Sequence, residues 1–250
     1  MKLNKLLDLN KGDIVSIVGA GGKTTLMFSL AEELRYSHKV LVTTTTKIYI
    51  PNKKLYDFTH MSKNENKLYI NSKSKGTYLL GSSVNEENKI IGVNFSYLDN
   101  IYQYFDYILI EADGSKKKPI KAWRKDEPVV YAKTNKTIGV LDITVVGKLA
   151  KEVNVHRLDK FIMLTNADVN KPITINHLFN LICHPEGLFK NSFGEKILFI
   201  NKVENSEEIL LANNLLEMIR TQTNFSLSRI ISGSLLNKNY KKYPRRICSD

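Results

Sequence analysis

Gly19, Ala20, Gly21, Gly22, Lys23, Thr24 and Thr25 follow one another without a break. Glycines let backbone N–H groups close around an anion, and a helix starting there adds the favourable end of its dipole. In that setting Lys23 is expected to reach the outer phosphates of a nucleotide, and the Thr24 hydroxyl to sit on Mg²⁺. The spacing is the short Gly-x-x-Gly-Lys-Thr-Thr form. Ile17 stands where the longer motif has its first glycine, five places before the last one.

A second pair of candidates closes the apolar run from Tyr107 to Ile110, where Glu111 and Asp113 are followed by Gly114. With a period of two they project to the same side of a strand, at the carboxyl end where ligands of open α/β sheets bind. One carboxylate would hold Mg²⁺, directly or through water, and the other would orient an attacking group. Thr43–Thr46 and Lys47 follow another strand. They suit a segment that senses the γ-phosphate or metal, with Thr45 as the nucleotide contact; alternatively the β-branched run simply extends the strand.

Two later runs end in base-recognition-like signatures: Thr165-x-x-Asp168, and Asn201-Lys202-x-Glu204. In many GTPases an Asn-Lys-x-Asp stretch lets the aspartate accept from the guanine ring, a donor pattern that adenine lacks. Glu204 is one methylene longer than aspartate, so the base stays open between ATP and GTP. The base contacts expected are Asp168, Asn201 and Lys202. The mixed-charge stretch Asp113–Trp123, with Asp126–Pro128, reads either as a clamp for an anionic substrate or as a solvated loop. His156 and Arg157 read either as a phosphate or carboxylate binder or as a surface pair. His184–Gly187 has the punctuation of a helix-ending turn.

These residues need elements to position them. Apolar, β-branched runs alternate with helical patterns, which predicts an α/β fold with a mostly parallel sheet and crossover helices, of P-loop NTPase type. Strands are expected over 13–18, 39–43, 76–81, 89–94, 106–111, 137–146, 160–165, 195–200 and 227–232, and helices over 23–36, 173–183 and 205–222. Short runs from 67 to 94 suggest a small antiparallel excursion at the sheet edge, and 238–250 a basic tail. One nucleotide-binding domain over residues 1–250 is expected.

Composition narrows the classes. Apolar residues make up 42% of 250, ample for a core, and no run approaches membrane-spanning length. The start, Met1–Asp8, lacks the apolar stretch of a signal peptide, and Cys183 and Cys248 have no metal-ligand spacing, so cytoplasm is the expectation. The net charge of +12 is spread along the chain. Only Tyr240 and Tyr243 interleave with the basic tail, so a nucleic-acid partner is not expected.

The ordered set resembles a known family. Gly19–Thr25, Thr43–Lys47, Glu111–Ser115 with Pro119–Lys121 and Glu127–Val130, Val145–Lys148, Val155–Arg157, and His184–Gly187 followed by Asn201–Val203 are similar to the selenium-dependent (molybdenum) hydroxylase accessory proteins, the YqeC-like family. The likeness runs from about Ile14 to Glu204. It implies a nucleotide-binding P-loop protein tied to selenium-containing molybdenum hydroxylases, with such an enzyme or a cofactor-handling protein as client. It puts Lys23 and Thr24 in the phosphate-loop roles and Glu111 and Asp113 in the family's acidic stretch. The expected activity is hydrolysis of ATP or GTP with Mg²⁺. The alternatives are a ligase or kinase with a Mur-like loop, which yields phosphate only when its acceptor is supplied, and a non-catalytic, nucleotide-gated binding module.

Overall fold

The structure is a computed structural model that describes residues 2–63, 74–222 and 225–244. Its strands are β1 (Ile14–Gly19), β2 (Lys39–Thr44), β3 (Lys47–Tyr49), β4 (Phe58–Met61), β5 (Gly76–Gly81), β6 (Ser83–Val84), β7 (Lys89–Ile91), β8 (Tyr107–Glu111), β9 (Ile120–Lys121), β10 (Lys136–Asp142), β11 (Val155–His156), β12 (Glu195–Asn201), β13 (Arg229–Ser234) and β14 (Asn239–Tyr243). Its helices are α1 (Leu3–Leu6), α2 (Lys23–Leu34), α3 (Phe95–Ile101), α4 (Leu158–Thr165), α5 (Ile175–Cys183) and α6 (Ser206–Arg220).

Among the described residues nine strands share one sheet, in the order β14-β13-β12-β10-β1-β8-β2-β5-β4. Every neighbouring pair is parallel except β13 and β14. Both faces are covered, which is why its strands read as continuous apolar runs. Alternate residues go to opposite sides: Val40, Val42, Leu109, Ile197 and Phe199 pack with α1 and α2, whereas Leu198 and Ile200 pack with α5 and α6. Leu41, Ile108 and Ile110 pack with α3. The arrangement brings the carboxyl ends of β1, β8, β10 and β12 together.

Several elements depart from expectation. The run at 160–165 is helix α4, not a strand: only Phe161 and Thr165, four apart, are fully buried, while Met163 is 71% exposed. A short apolar run has no period long enough to separate the two states, and the packing of one helical face decided it. The stretch expected as strand to 146 stops at Asp142, whose side chain accepts from the Thr144 N–H and turns the chain into a 3₁₀ turn. Helix α3, N-capped by Asn94, went unpredicted.

The antiparallel excursion differs from its expected bounds of 67–94, because β3 at 47–49 lies before them. Strands β3, β7 and β6 form it, while 76–81 joins the main sheet as β5. Leu68–Ile70 lies outside the described residues. The first part of the expected tail is an edge strand, β14, whose exposed Lys241 and Lys242 discourage pairing with another chain. Arg245 and Arg246 lie outside the described residues.

Candidate functional site

Strand β1 runs straight into the glycine turn. Gly19, Gly21 and Gly22 have φ of +99°, +82° and +139°, a region that side chains strain to enter. Space forbids side chains as well. A Cβ on Gly19 would lie 2.2 Å from the Val140 carbonyl oxygen, and one on Gly22 would lie 2.4 Å from Asn201 Nδ2. The turn after α5 pushes Leu188 against Gly19, so His184–Gly187 does end a helix and also backs the loop. Helix α2 starts at Lys23, and its N-cap, Gly22, has no side chain to accept from the first turn. Those amides are therefore open to an anion.

The fold brings Lys23, Thr24, Glu111 and Asp113 together. The buried Lys23 Nζ donates to Gly19 O at 2.8 Å and lies 3.6 Å from Glu111 Oε1 and 3.3 Å from Asp113 Oδ1. Thr24 Oγ1 donates to Glu111 Oε2 at 2.6 Å. Burial favours the neutral form of Lys23, but the two carboxylates outweigh it and hold the ammonium above its ordinary value. Burial pushes the Glu111 carboxyl up, and the Lys23 and Thr24 contacts only partly counter it. Asp113 moves the other way. Against the cost of burial, Lys23, Lys121, the Trp123 Nε1–H at 2.6 Å and the Gly19 N–H at 3.1 Å hold it below its ordinary range.

The stretch after Asp113 is neither a solvated loop nor an open clamp at its inner end. Lys121 is fully buried, its Nζ donating to Gly114 O at 2.7 Å and lying 3.1 Å from Asp113 Oδ2 and 3.5 Å from Glu127 Oε2. Burial, and then the like charge of Lys23, hold this ammonium below its ordinary value despite the two carboxylates. Glu127 is in turn gripped by both terminal guanidinium nitrogens, Nη1 and Nη2, of Arg157. An alternating chain of charges thus runs from Lys23 through Asp113, Lys121 and Glu127 to Arg157. In sequence Lys121 is one lysine of a mixed-charge stretch, and the apolar Trp123 beside it is the signal of a loop that folds inward.

Arg157 lines a cleft of about 610 Å³ together with Lys118, His156, Leu158, Ile162 and Val169. Burial, then the charges of Arg157 and Lys121, lower His156 to about 4. The folded chain therefore keeps the imidazole neutral at pH values where the unfolded chain protonates it. Stability is lost as the pH falls from about 6.5 toward 4. With allowance for solvent at the cleft mouth, His156→Gln is expected to reduce the loss between pH 7 and pH 5 by about 1 kcal/mol. Urea denaturation at the two pH values measures it, and parallel wild-type and variant slopes would refute it.

The remaining candidates divide. Ala20 is buried in the turn and Thr25 is exposed on the first turn of α2. The threonine hydroxyls are engaged with the main chain: Thr43 donates to Leu80 O, Thr44 to Glu111 O and Thr45 to Val129 O, all at 2.8–2.9 Å. Asp168 follows a helix rather than a strand and is exposed beside Val169. The strand-end argument that singled it out therefore no longer holds. Asn201 ends β12 against the glycine turn, donating to Gly21 O at 2.7 Å. Lys202 pairs with Asp142, a fully buried residue that the sequence did not single out.

Among the described residues no helix is long and apolar enough to cross a membrane. No solved structure matches the chain significantly. The family model described as YqeC protein matches residues 15–159, which includes the glycine turn, both acids, Lys121 and Arg157. The chain is also 31% identical over 212 residues to "Uncharacterized protein YqeC" of Escherichia coli (strain K12), covering 83% of this chain and 82% of that protein. This chain belongs to the YqeC family.

Proposed function

We propose that this protein is a P-loop NTPase that binds a purine nucleoside triphosphate with Mg²⁺ at Gly19–Thr25 and hydrolyses it. Its client, on the resemblance to selenium-dependent hydroxylase accessory proteins, is a molybdenum hydroxylase or a protein that handles its cofactor. The observation that carries the reading is the convergence of Lys23, Thr24 and Glu111 at an uncapped helix start behind a glycine turn.

The donor set suits Mg²⁺, which takes one or two protein oxygens and completes its shell with water and phosphate. Thr24 and Glu111 would hold it, since Thr24 is half-buried and its hydroxyl already meets Glu111. Asp113 fits that role poorly. It is fully buried, with Oδ2 occupied by Gly19, Lys121 and Trp123. Its place is to fix Lys23 and the turn. Bound Mg²⁺ supplies neutralisation of charge on the transferred phosphoryl group. The amides from Gly21 to Thr24 surround the phosphates, and Lys23 sets a positive charge against the outer one.

The test is calorimetry of the purified protein with ATP and with GTP, each with Mg²⁺, followed by phosphate release with and without EDTA. Saturable heat with at least one nucleotide and slow, EDTA-sensitive release are expected. No heat with either nucleotide would overturn the proposal. The cleft at His156 favours a second reading, a ligase or kinase whose acceptor sits there, because the chain of charges links it to the loop. That reading requires phosphate release to wait for an acceptor.

A further inference from the structure

The ends of β12 and β13 build a second constellation against the glycine turn. Asn201 Nδ2 donates to Gly21 O at 2.7 Å, while its Oδ1 accepts from the Leu235 N–H at 3.2 Å. One amide side chain thus ties the turn to the segment after β13. Three residues along, the Glu204 N–H donates to Glu208 Oε2 at 2.7 Å, and Ser234 Oγ donates to Glu204 Oε1 at 2.7 Å. Glu204 is held at both backbone and side chain, yet the residue remains exposed to solvent.

Lys202, between them, adopts φ of +62°, a left-handed conformation that costs a lysine energy, and pairs with the buried Asp142. Asp142 lies under Gly21, where a Cβ would come within 2.3 Å of its own Cβ. Asn201 is therefore registered to the glycine turn directly and Lys202 through Asp142, while Glu204 is held through Ser234, next in the chain to the Leu235 that Asn201 holds.

We infer that Glu204, held by Ser234 on a segment that Asn201 and Lys202 fix against the glycine turn, reads the base of the nucleotide, and that the base is guanine. The inference rests on the nucleotide reading above. Guanine presents two adjacent donors, N1–H and the 2-amino group, which a carboxylate accepts side by side. Adenine presents a bare ring nitrogen at that edge, and its lone pair would face the carboxylate oxygens. Ser234 takes only one of the lone pairs on Oε1, so both Glu204 oxygens keep accepting capacity. The extra methylene of glutamate relative to aspartate is restrained by the same Ser234 contact. Asn201 joins the base segment to the phosphate segment, so both ends of the ligand meet one rigid frame.

The test compares GDP, ADP and XDP, each with Mg²⁺, by calorimetry on the full chain; diphosphates avoid turnover during the titration. GDP is expected to bind at least about 100-fold more tightly than ADP, as for a site whose buried or restrained groups are matched by hydrogen bonds. Glu204→Gln is expected to weaken GDP by about 100-fold and to strengthen XDP, because the new amide donates to the 2-oxo group of xanthine. That gain cannot come from a variant that merely fails to fold. Equal affinity for GDP and ADP, or an unchanged GDP-to-XDP ratio in the variant, overturns the guanine inference alone. If no diphosphate and neither purine triphosphate binds, the nucleotide reading falls, and the base assignment falls with it.

Discussion

On the proposed NTPase reading, Lys23→Met is expected to lower Mg²⁺-dependent nucleotide hydrolysis by about 100- to 1,000-fold, the usual cost of removing one positioned charge from a site where negative charge develops. The change keeps most of the side-chain volume and deletes only the ammonium that reaches Gly19 O and the two carboxylates. Asp113 retains Lys121, Trp123 and the Gly19 N–H, so the turn keeps most of its support. Glu111 loses its ion pair with Lys23 and should titrate higher still than burial already places it. Initial rates of phosphate release, compared at equal folded fraction by circular dichroism, measure the effect. Rates equal to the wild type would place any hydrolysis outside this loop.

Lys121→Met is expected to cost about 3–5 kcal/mol of folding stability, because it strands buried carboxylates that shared one cation. Among the described residues Asp113 then keeps one cation, Lys23, and Glu127 depends on Arg157 and Arg124. The pH dependence follows from Asp113. Its carboxyl is held low in the folded chain, so its stabilising effect is complete above its ordinary value of 3.8 and is lost as the pH falls through the folded value. Part of that effect depends on Lys121, so the gap between wild type and variant narrows under acid. Urea denaturation at pH 7 and near pH 3.5 checks both points. A loss under 1 kcal/mol at pH 7 would mean that Lys121 is not the joint its position suggests.

The glycine turn and the two acids were legible because their chemistry depends on spacing along the chain. Gly19–Lys23 lies on one connected turn, and Glu111 and Asp113 share one side of one strand end. Strands such as β5 and β12 announced themselves through apolar runs that only a sheet covered on both faces would need. Helix α4 did not, because Phe161–Thr165 is too short for period to separate helix from strand. Lys121 was legible only as part of a charged stretch. A buried lysine looks like a surface lysine until the carboxylates around it, Asp113 and Glu127, are folded into place. Asp142 was missed because its partners are distant in sequence: the glycine turn that it underlies and Lys202, 60 residues on. Asn201 and Lys202 were seen as a motif, but their tie to Gly21 comes only from the adjacency of β1, β10 and β12.

The alternating chain from the glycine turn to the cleft has an electrostatic corollary. Among the buried and half-buried groups, Lys23, Lys121 and Arg157 are matched one for one by Glu111, Asp113 and Glu127, so this interior ensemble sums to neutrality when all are ionised, with the exposed Arg124 at its outer edge beside Glu127. A polyanion entering the loop finds dipoles and a lysine already paired, with no surplus cation inside that interior ensemble. It must bring its own counter-charge or drive proton uptake by Glu111. Tight occupancy should therefore be stoichiometric in divalent ion, and the chain's +12 surface should govern how fast ligands arrive rather than how long they stay.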